Sequence, residues 1–290
     1  MVDEEKMGFR ALSFIRNFKD FVQIVFINIV TTDNNQRVYE SDDVVTFYLD
    51  QNSLQLPETT ILNDFRTKLP NMKMLDIGVG AGRTSSHFAA VSKEYIGIDY
   101  SSKMIEACLK KFSSSPKIFF LTADARTMKS FEDESFDFIL FSFNGIDYMT
   151  HEERLCALLE IKRILKSGGY LCFSTHNLNY ESKKCSIQLS RHPRIFASRI
   201  IQLLQMRLLN KREAWKLIRG STRKATHTMV NDGAMDYRLE TYYITPIAQL
   251  KQLNELGFSN TKMYSLTNGA EFKSPENTID HWIYYLAQVS

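Results

Sequence analysis

The sequence predicts a doubly wound α/β fold, in which a mostly parallel sheet carries helices on both faces. Short apolar runs alternate with helical stretches from about residue 70 to 177. Alternating glycines, Gly78, Gly80 and Gly82, follow the first apolar run. The last two apolar runs are joined by a linker that is too short and broken for a crossover helix. Since strands that alternate with crossover helices form a parallel sheet, we expect seven strands that end in an antiparallel hairpin.

The predicted elements follow one another in a regular order. The strands are expected at residues 73–79, 94–99, 117–121, 136–141, 170–175, 261–266 and 282–289. Helices are expected between them at residues 82–91, 102–112, 151–165 and 246–256. Ser101 is a natural N-cap for the second of these helices, and Gly168 and Gly169 are good stops for the third. Gly269 and Pro275 interrupt the final linker, so the last two strands should pair directly.

Three units are expected along the chain. Residues 1–69 form an N-terminal helical cover, residues 70–177 with 241–290 form the core, and residues 178–240 form a helical basic insertion. Apolar residues between Phe14 and Ile29 recur at helical spacing, which predicts an amphipathic helix. This helix should pack on the core or across a dimer interface. A membrane-surface anchor is the alternative, although the polar face is not strongly basic.

Composition and charge exclude several classes of protein. The chain has 290 residues, 44% of them hydrophobic, and a net charge of +3. It has no apolar stretch of the roughly 18 residues that a membrane span needs, and its acidic start is wrong for a secretory signal. The four cysteines are widely spaced, which indicates reduced thiols in the cytoplasm rather than disulfides or a zinc site. Residues 183–224 hold twelve Lys or Arg against one acid.

The glycine turn has the features of an adenosine-binding site. It follows a strand and precedes a helix, where glycines let a ligand approach the main chain. Asp99 ends the next strand, about 20 residues after the glycines, where a carboxylate can accept hydrogen bonds from ribose hydroxyls. Asp76, two residues before Gly78, would repel the pyrophosphate of a dinucleotide but suits an ammonium group. The pattern therefore favours an adenosine cofactor that lacks a pyrophosphate.

This ordered set of motifs resembles class I S-adenosylmethionine-dependent methyltransferases, over roughly residues 70–177 and 241–290. The resemblance implies S-adenosyl-L-methionine as the cofactor, S-adenosyl-L-homocysteine as the product and no metal. The alternative is an α/β domain with glycine-rich turns and no nucleotide.

The expected cofactor residues lie at strand ends and in the N-terminal cover. Gly78 and Gly80 make room for the cofactor, Asp76 fixes its ammonium group directly or through water, and Arg83 either reaches its carboxylate or is a solvated surface residue. Asp99 holds the ribose. Tyr39 or Tyr48 covers the methionine end, where an aromatic face attracts a sulfonium, unless these tyrosines belong to the core. The full set is Asp76, Gly78, Gly80, Gly82, Arg83, Asp99, Tyr100 and Met104 beside the adenine, Asp124 and Ala125 at its edge, Phe141 and Tyr39.

The acceptor site is expected beside the loop after the fourth strand, at residues 143–148. This loop lacks the N-P-P-Y type sequence of amide and adenine N-methyltransferases, which argues against methylation of DNA bases. His176 is the best-placed general base, or else it only caps its strand; Asp147 and Tyr148 would position the reactants. The expected substrate-binding residues are Asn144, His227, Tyr237, Tyr242 and Tyr243.

These features predict a cytoplasmic enzyme, a monomer or homodimer, that methylates an O or N atom of a small anionic metabolite in a biosynthetic pathway. The basic insertion is either a lid with a solvated face or a site that recognises an anionic acceptor, which would be a phosphorylated or nucleotide-linked metabolite, a lipid headgroup or RNA. Methylation of tRNA or rRNA and a non-catalytic partner protein are the alternatives. We do not expect nucleic acid as the partner, and a membrane surface is the less favoured alternative to a small-molecule acceptor.

Overall fold

The computed structural model describes residues 34–114, 117–180, 193–210, 226–278 and 280–290. Its strands are β1 Lys73–Ile77, β2 Glu94–Asp99, β3 Ile118–Thr122, β4 Phe136–Phe141, β5 Leu165–Asn177, β6 His227–Val230, β7 Thr241–Ile244, β8 Phe258–Ser265, β9 Glu271–Phe272 and β10 Trp282–Val289. Its α-helices are α1 Asn34–Tyr39, α2 Asp42–Leu49, α3 Leu56–Phe65, α4 Ser85–Phe88, α5 Ser102–Lys111, α6 His151–Ile164, α7 Pro193–Leu209 and α8 Pro246–Glu255.

The strands form one mixed sheet in the order β3-β2-β1-β4-β5-β10-β8-β9. The strands from β3 to β5 are parallel, whereas β10 runs antiparallel between β5 and β8. Tyr284 of β10 lies opposite Ser174 of β5 and Tyr264 of β8. The predicted fold, a mostly parallel sheet that ends in an antiparallel hairpin, is thereby confirmed.

The sheet of the described residues has ten strands, not the seven that were predicted. The additional strands are β6, β7 and β9, which are two to four residues long and therefore give little periodicity to detect. Strand β6 lies inside the insertion that was predicted to be helical. It pairs with β7, and β7 pairs in parallel with the end of β5 at His176 and Asn177.

Two other predicted bounds were wrong. The helix expected at residues 82–91 is only Ser85–Phe88, because Gly82 has a φ of +78°, which is incompatible with a helix. Strand β5 begins at Leu165, so the glycine pair lies within the strand, after a register shift against β4. The amphipathic helix expected between Phe14 and Ile29 lies outside the described residues.

Two apolar layers cover the two faces of the sheet. Neighbouring residues of each central strand belong to different clusters, as Ile139 and Leu140 of β4 do, because successive side chains point to opposite faces. Residues of α6 and α8 pack on one face, and residues of α3, α4 and α5 pack on the other. In the part of the chain that the structure describes, no helix is long and apolar enough to cross a membrane.

Candidate cofactor and acceptor site

A cavity of about 730 Å³, including open solvent at its mouth, lies at the carboxyl ends of β1, β2 and β4. Ligands of open α/β sheets bind at this edge. The lining residues are Tyr39, Tyr48, Ile77, Gly78, Gly80, Asp99, Tyr100, Met104, Ala123, Asp124, Ala125, Arg126, Phe141, Ser142, Phe143, Gly145, Tyr148 and Met149. The cavity thus brings together nine of the twelve residues that were expected to bind the cofactor.

The glycine turn forms one wall of the cavity with bare backbone. Gly78 and Gly80 have φ angles of +63° and +55°, in the left-handed region that favours glycine. A Cβ at Gly78 would lie 3.0 Å from the ring of Phe141 and would narrow the cavity. Gly82 does not line the cavity. A Cβ there would lie 2.5 Å from the ring of Phe112, so this glycine lets the turn pack closely on the chain after α5.

Asp99 is held at the cavity by the backbone on both sides. One carboxylate oxygen accepts a hydrogen bond from the Gly80 N–H at 2.9 Å, and the other accepts one from the Ser101 N–H at 2.9 Å. Burial raises the pKa of Asp99 to about 6, although these N–H groups oppose the rise. Each oxygen keeps a further lone pair, so the carboxylate can accept two hydroxyl hydrogen bonds from a ligand.

The raised pKa of Asp99 predicts that ligand affinity depends on pH. The protonated carboxyl group loses an acceptor, so proton binding competes with a ligand that donates two hydroxyl groups. We expect the affinity for S-adenosylhomocysteine to rise about tenfold between about pH 5 and about pH 7 and then to level off. Titration calorimetry across this pH range measures the affinity for S-adenosylhomocysteine. Asp76→Asn is the matched control, because Asp76 has a pKa of about 6 but lies outside the cavity lining. Loss of the pH dependence in that variant would contradict the assignment to Asp99.

Asp76 and Arg83 have partners inside the protein. The Asp76 carboxylate accepts hydrogen bonds of 2.5 Å from the hydroxyls of Thr84 and Tyr95. Arg83 forms a two-pronged ion pair with Glu58, at 2.5 and 2.7 Å, and its guanidinium lies 4.9 Å from the ring of Phe143. Neither side chain lines the cavity, and Arg83 is buried rather than solvated. Both residues support the cavity from behind.

The Glu58–Arg83 pair should contribute strongly to stability. The two side chains are 0% and 9% exposed, so removal of one partner leaves the other charge buried without compensation. We expect Glu58→Gln to lower the free energy of unfolding by about 3–5 kcal/mol, measured by denaturant titration. Glu271→Gln is the control, because its salt bridge with Lys262 is exposed and should change stability by less than about 1 kcal/mol. Equal effects of the two substitutions would show that Arg83 does not need its partner.

Aromatic rings form the wall opposite the glycine turn. The ring of Tyr39 lies 5.9 Å from Tyr48, 5.9 Å from Tyr100 and 5.4 Å from Tyr148. Phe143 lies 6.4 Å from Tyr48 and extends this wall. Tyr39 ends α1 and Tyr48 lies in α2, so both helices contribute to the lining of the cavity.

The end of β3 contributes an acid that is already paired. The Asp124 carboxylate accepts hydrogen bonds from the Arg126 N–H at 2.8 Å and from its guanidinium at 2.6 to 3.0 Å. Arg126 also contacts Glu153 on α6. Met104 and Ala125 line the cavity nearby. Asp124 thus lies where the sequence predicted it, but Arg126 occupies much of its hydrogen-bonding capacity.

Beside the cavity, the partly exposed His176 pairs with the buried Asp147. One Asp147 oxygen accepts hydrogen bonds of 2.7 and 2.8 Å from the backbone N–H and the Nδ1 of His176. Its other oxygen accepts bonds of 2.6 Å from Arg154 and 2.6 Å from Thr175. Asp147 and Arg154 are both 0% exposed. An acid that holds Nδ1–H of a histidine fixes the tautomer in which Nε2 can accept a proton.

His176 does not itself line the cavity. The ring of Trp282 lies 5.6 Å from His176 and 6.0 Å from Phe143, which lines it. Tyr148, next to Asp147 in the chain, does line the cavity. The predicted catalytic residues are therefore neighbours, and only Tyr148 reaches the cavity surface.

Three of the expected substrate-binding residues lie on β6 and β7, and one of them, Tyr243, contacts His176. Tyr243 lies 4.9 Å from His176, ring to ring, and its hydroxyl donates to Asp232 at 2.7 Å. His227 and Tyr242 stack with His151, whose Nδ1 lies 2.7 Å from the Tyr242 hydroxyl. Burial lowers the pKa of both His151 and His227.

The other two expected substrate-binding residues lie differently. Asn144, in the left-handed region with a φ of +60°, is buried, and its side-chain oxygen has no hydrogen-bond partner among the described residues. Tyr237 instead donates from its hydroxyl to Gln205 on α7 at 2.9 Å. Asn144 therefore has an acceptor to offer, whereas Tyr237 is engaged with the insertion.

Several residues of the site were not predicted. Arg126 and Ser142 line the cavity, and Glu58 holds Arg83 behind it. Arg126 had a local signal, since it lies two residues after Asp124, the spacing at which a strand-end acid can pair with an arginine. Glu58 had none, because it lies 25 residues from its partner.

Part of the core is similar to known methyltransferase domains. Residues 74–169 match the family model described as a methyltransferase domain. The chain is 32% identical over 106 residues to putative methyltransferase YqeM of Bacillus subtilis (strain 168), a match that covers 36% of this chain and 42% of that protein. It is 35% identical over 111 residues to demethylmenaquinone methyltransferase of Staphylococcus aureus (strain MRSA252), covering 36% and 43%. The matches therefore span less than half the length of these curated relatives.

Solved structures show the same fold. An S-adenosylmethionine dependent methyltransferase from Mesorhizobium loti matches with a TM-score of 0.55 and 14% identity, over 80% of this chain and 97% of that one. A putative S-adenosylmethionine dependent methyltransferase from Listeria monocytogenes matches with a TM-score of 0.55 and 14% identity, over 81% and 98%. At this identity the likeness is evidence for the fold alone.

Proposed function

We propose that this chain, whose core is a class I S-adenosylmethionine-dependent methyltransferase domain, transfers a methyl group to an O or N atom of a small molecule. The observation that supports it most directly is the cavity at the ends of β1, β2 and β4. This cavity combines the bare backbone of the glycine turn, the fixed Asp99 carboxylate and an aromatic wall.

These residues fit the chemical groups of S-adenosylmethionine. Asp99 can accept hydrogen bonds from the two ribose hydroxyls, and Gly78 and Gly80 leave space that a Cβ would fill. The faces of Tyr39, Tyr48 and Tyr148 can attract a cation. When bound, S-adenosylmethionine supplies an electrophilic methyl group on a positively charged sulfur. Thr84 and Tyr95 both donate to the Oδ2 atom of Asp76, so the predicted contact with the ammonium group, direct or through water, would use Oδ1.

His176 is the proposed general base for the acceptor. Asp147 orients its ring through Nδ1, and among the described residues nothing is hydrogen-bonded to Nε2. The ring can therefore take a proton at Nε2 from a hydroxyl or amine. Tyr148 and Asn144 would position the acceptor, and Tyr243, whose ring lies 4.9 Å from that of His176, would contact it. The substrate-binding roles of His227 and Tyr242 stay sequence-based predictions, because both side chains contact His151 instead.

A small-molecule acceptor is favoured over RNA by the names of the relatives, which include demethylmenaquinone methyltransferases. An anionic charge on the acceptor stays a sequence-based prediction, because the basic residues that suggest it lie in residues 183–224, most of which the structure does not describe.

The test is the formation of S-adenosylhomocysteine by the purified chain, with separate panels of small-molecule acceptors and of tRNA and rRNA. We expect turnover with a member of the small-molecule panel and none with RNA. Turnover with RNA alone would support the alternative function. Cofactor binding with no turnover on either panel would favour the non-catalytic alternative.

A further inference from the structure

The link between β6 and β7, residues 231–240, contains a strained stretch of backbone. Met235, Asp236 and Tyr237 have φ angles of +46°, +56° and +64°, and Gly233 has a φ of +95°. Residues other than glycine pay a steric cost in this left-handed region and enter it singly rather than in runs. Three such residues in succession persist only where contacts on both sides fix the chain. We call residues 233–238 the strained turn.

Contacts at both ends hold the strained turn in place. Just before it, the Asp232 carboxylate accepts a hydrogen bond of 2.7 Å from the hydroxyl of Tyr243 on β7. At its end, Arg238 donates from Nη2 to the carboxylate of Asp43 on α2 at 2.6 Å. The backbone oxygen of Arg238 accepts a hydrogen bond of 3.0 Å from the side chain of Asn34 on α1. The turn therefore joins the end of the insertion to both of these helices.

The strained turn also packs on the aromatic wall of the cavity. Ala234 and Met235 belong to one apolar cluster with Tyr39, Tyr48 and Tyr148. All three tyrosines line the cavity, whereas Ala234 and Met235 do not. The turn can therefore act on a ligand in the cavity only through these rings.

We propose that Arg238 is a positioning residue of the cofactor site, which holds α1 and α2 against the strained turn and so keeps the aromatic wall closed on the bound cofactor. Release of Arg238 lets the turn relax and the wall open, and the cofactor exchanges through that opening. The proposal goes beyond methyl transfer itself and rests on the proposed function in one respect, that the cavity holds S-adenosylmethionine.

This clamp is weak enough to open while the sheet stays folded. The side chains of Arg238 and Asp43 are 36% and 63% exposed, and ion pairs at such exposed positions contribute little stability. The strain of the turn favours release, whereas the apolar contacts of Met235 favour closure. Opening leaves the glycine turn and Asp99 in place, because both are held by β1 and β2.

The first test changes the strain of the turn at Asp236, which is exposed. Asp236→Val places a β-branched side chain at a positive φ, where such residues are strongly disfavoured. We expect it to raise the rate constant for dissociation of S-adenosylhomocysteine at least about fivefold, measured by surface plasmon resonance. Asp236→Asn is the matched control, because it removes the same charge but keeps a residue that tolerates this region, and it should change the rate constant less than about twofold.

The second test removes the anchor of the turn. Arg238→Met keeps much of the aliphatic side chain but loses the hydrogen bond to Asp43, and it should raise the same rate constant about threefold. Lys262→Met is the matched control, because Lys262 forms an exposed salt bridge with Glu271 between β8 and β9. This control should leave the rate constant unchanged.

Hydrogen exchange of the chain without cofactor gives a readout that does not depend on binding. Asp236→Val and Arg238→Met should speed the exchange of amides in α1 and α2 at least about threefold and leave those in β1 and β10 unchanged. Unchanged dissociation in both variants, or unchanged exchange in α1 and α2, would overturn the proposal alone. Absence of S-adenosylhomocysteine binding by the unmodified chain would instead refute the proposed function and, with it, the role of Arg238 at that site.

Discussion

Asp99→Asn should reduce the affinity for S-adenosylmethionine and S-adenosylhomocysteine by at least about 100-fold, since each hydrogen bond to a charged group contributes about 1.5–3 kcal/mol. The amide keeps the shape of the side chain but removes the charge, and its nitrogen cannot accept from the Gly80 or Ser101 N–H groups that now hold the carboxylate. Titration calorimetry measures the loss.

Two comparisons separate this effect from a loss of folding. Asp50→Asn, at an exposed position, should leave the affinity unchanged. Circular dichroism of the Asp99→Asn variant should show the same helix and strand content as the unmodified chain. A folded variant that retained its affinity would refute the assignment of Asp99 to the ribose.

His176→Ala should lower acceptor-dependent turnover by about 10²–10⁴-fold, the usual contribution of a positioned general base. The cofactor affinity should not change, because His176 does not line the cavity. Single-turnover measurement with an identified acceptor gives the first quantity, and calorimetry gives the second.

The control for this substitution is His87→Ala, a histidine on α4 whose ring contacts the backbone oxygen of Asn52. Its turnover should equal that of the unmodified chain. Undiminished turnover in His176→Ala would leave His176 with only a structural role at the end of β5. A parallel drop in cofactor affinity would show that the substitution disturbs the cavity and would make the turnover uninformative about a base.

The glycine wall of the cavity could be predicted because its determinants are local. Gly78 and Gly80 lie at a strand-to-helix turn, and Asp99 ends the next parallel strand, so topology alone brings them together. The direct hydrogen bond from Gly80 to Asp99 follows from that arrangement. The same holds for Phe141, which ends β4, and for Asp124, which lies just after the end of β3.

The partners of charged residues could not be predicted, because they depend on contacts between distant parts of the chain. Glu58 lies on α3 and Tyr284 on β10, yet both contact the group around Arg83. Tyr95 on β2 donates a hydrogen bond to Asp76 on β1, a contact that nothing in the sequence indicates. The short strand β6 was missed for a related reason. It is stabilised by its pairing with β7 more than by the β-propensity of its own residues.

The most direct test of the central claim is calorimetric titration of the unmodified chain with S-adenosylmethionine, S-adenosylhomocysteine and NAD. We expect binding of both sulfur nucleosides with a dissociation constant on the order of micromolar, about −8 kcal/mol, and no binding of NAD. Binding of NAD, or of none of the three, would contradict the claim that the cavity at the ends of β1, β2 and β4 is an S-adenosylmethionine site.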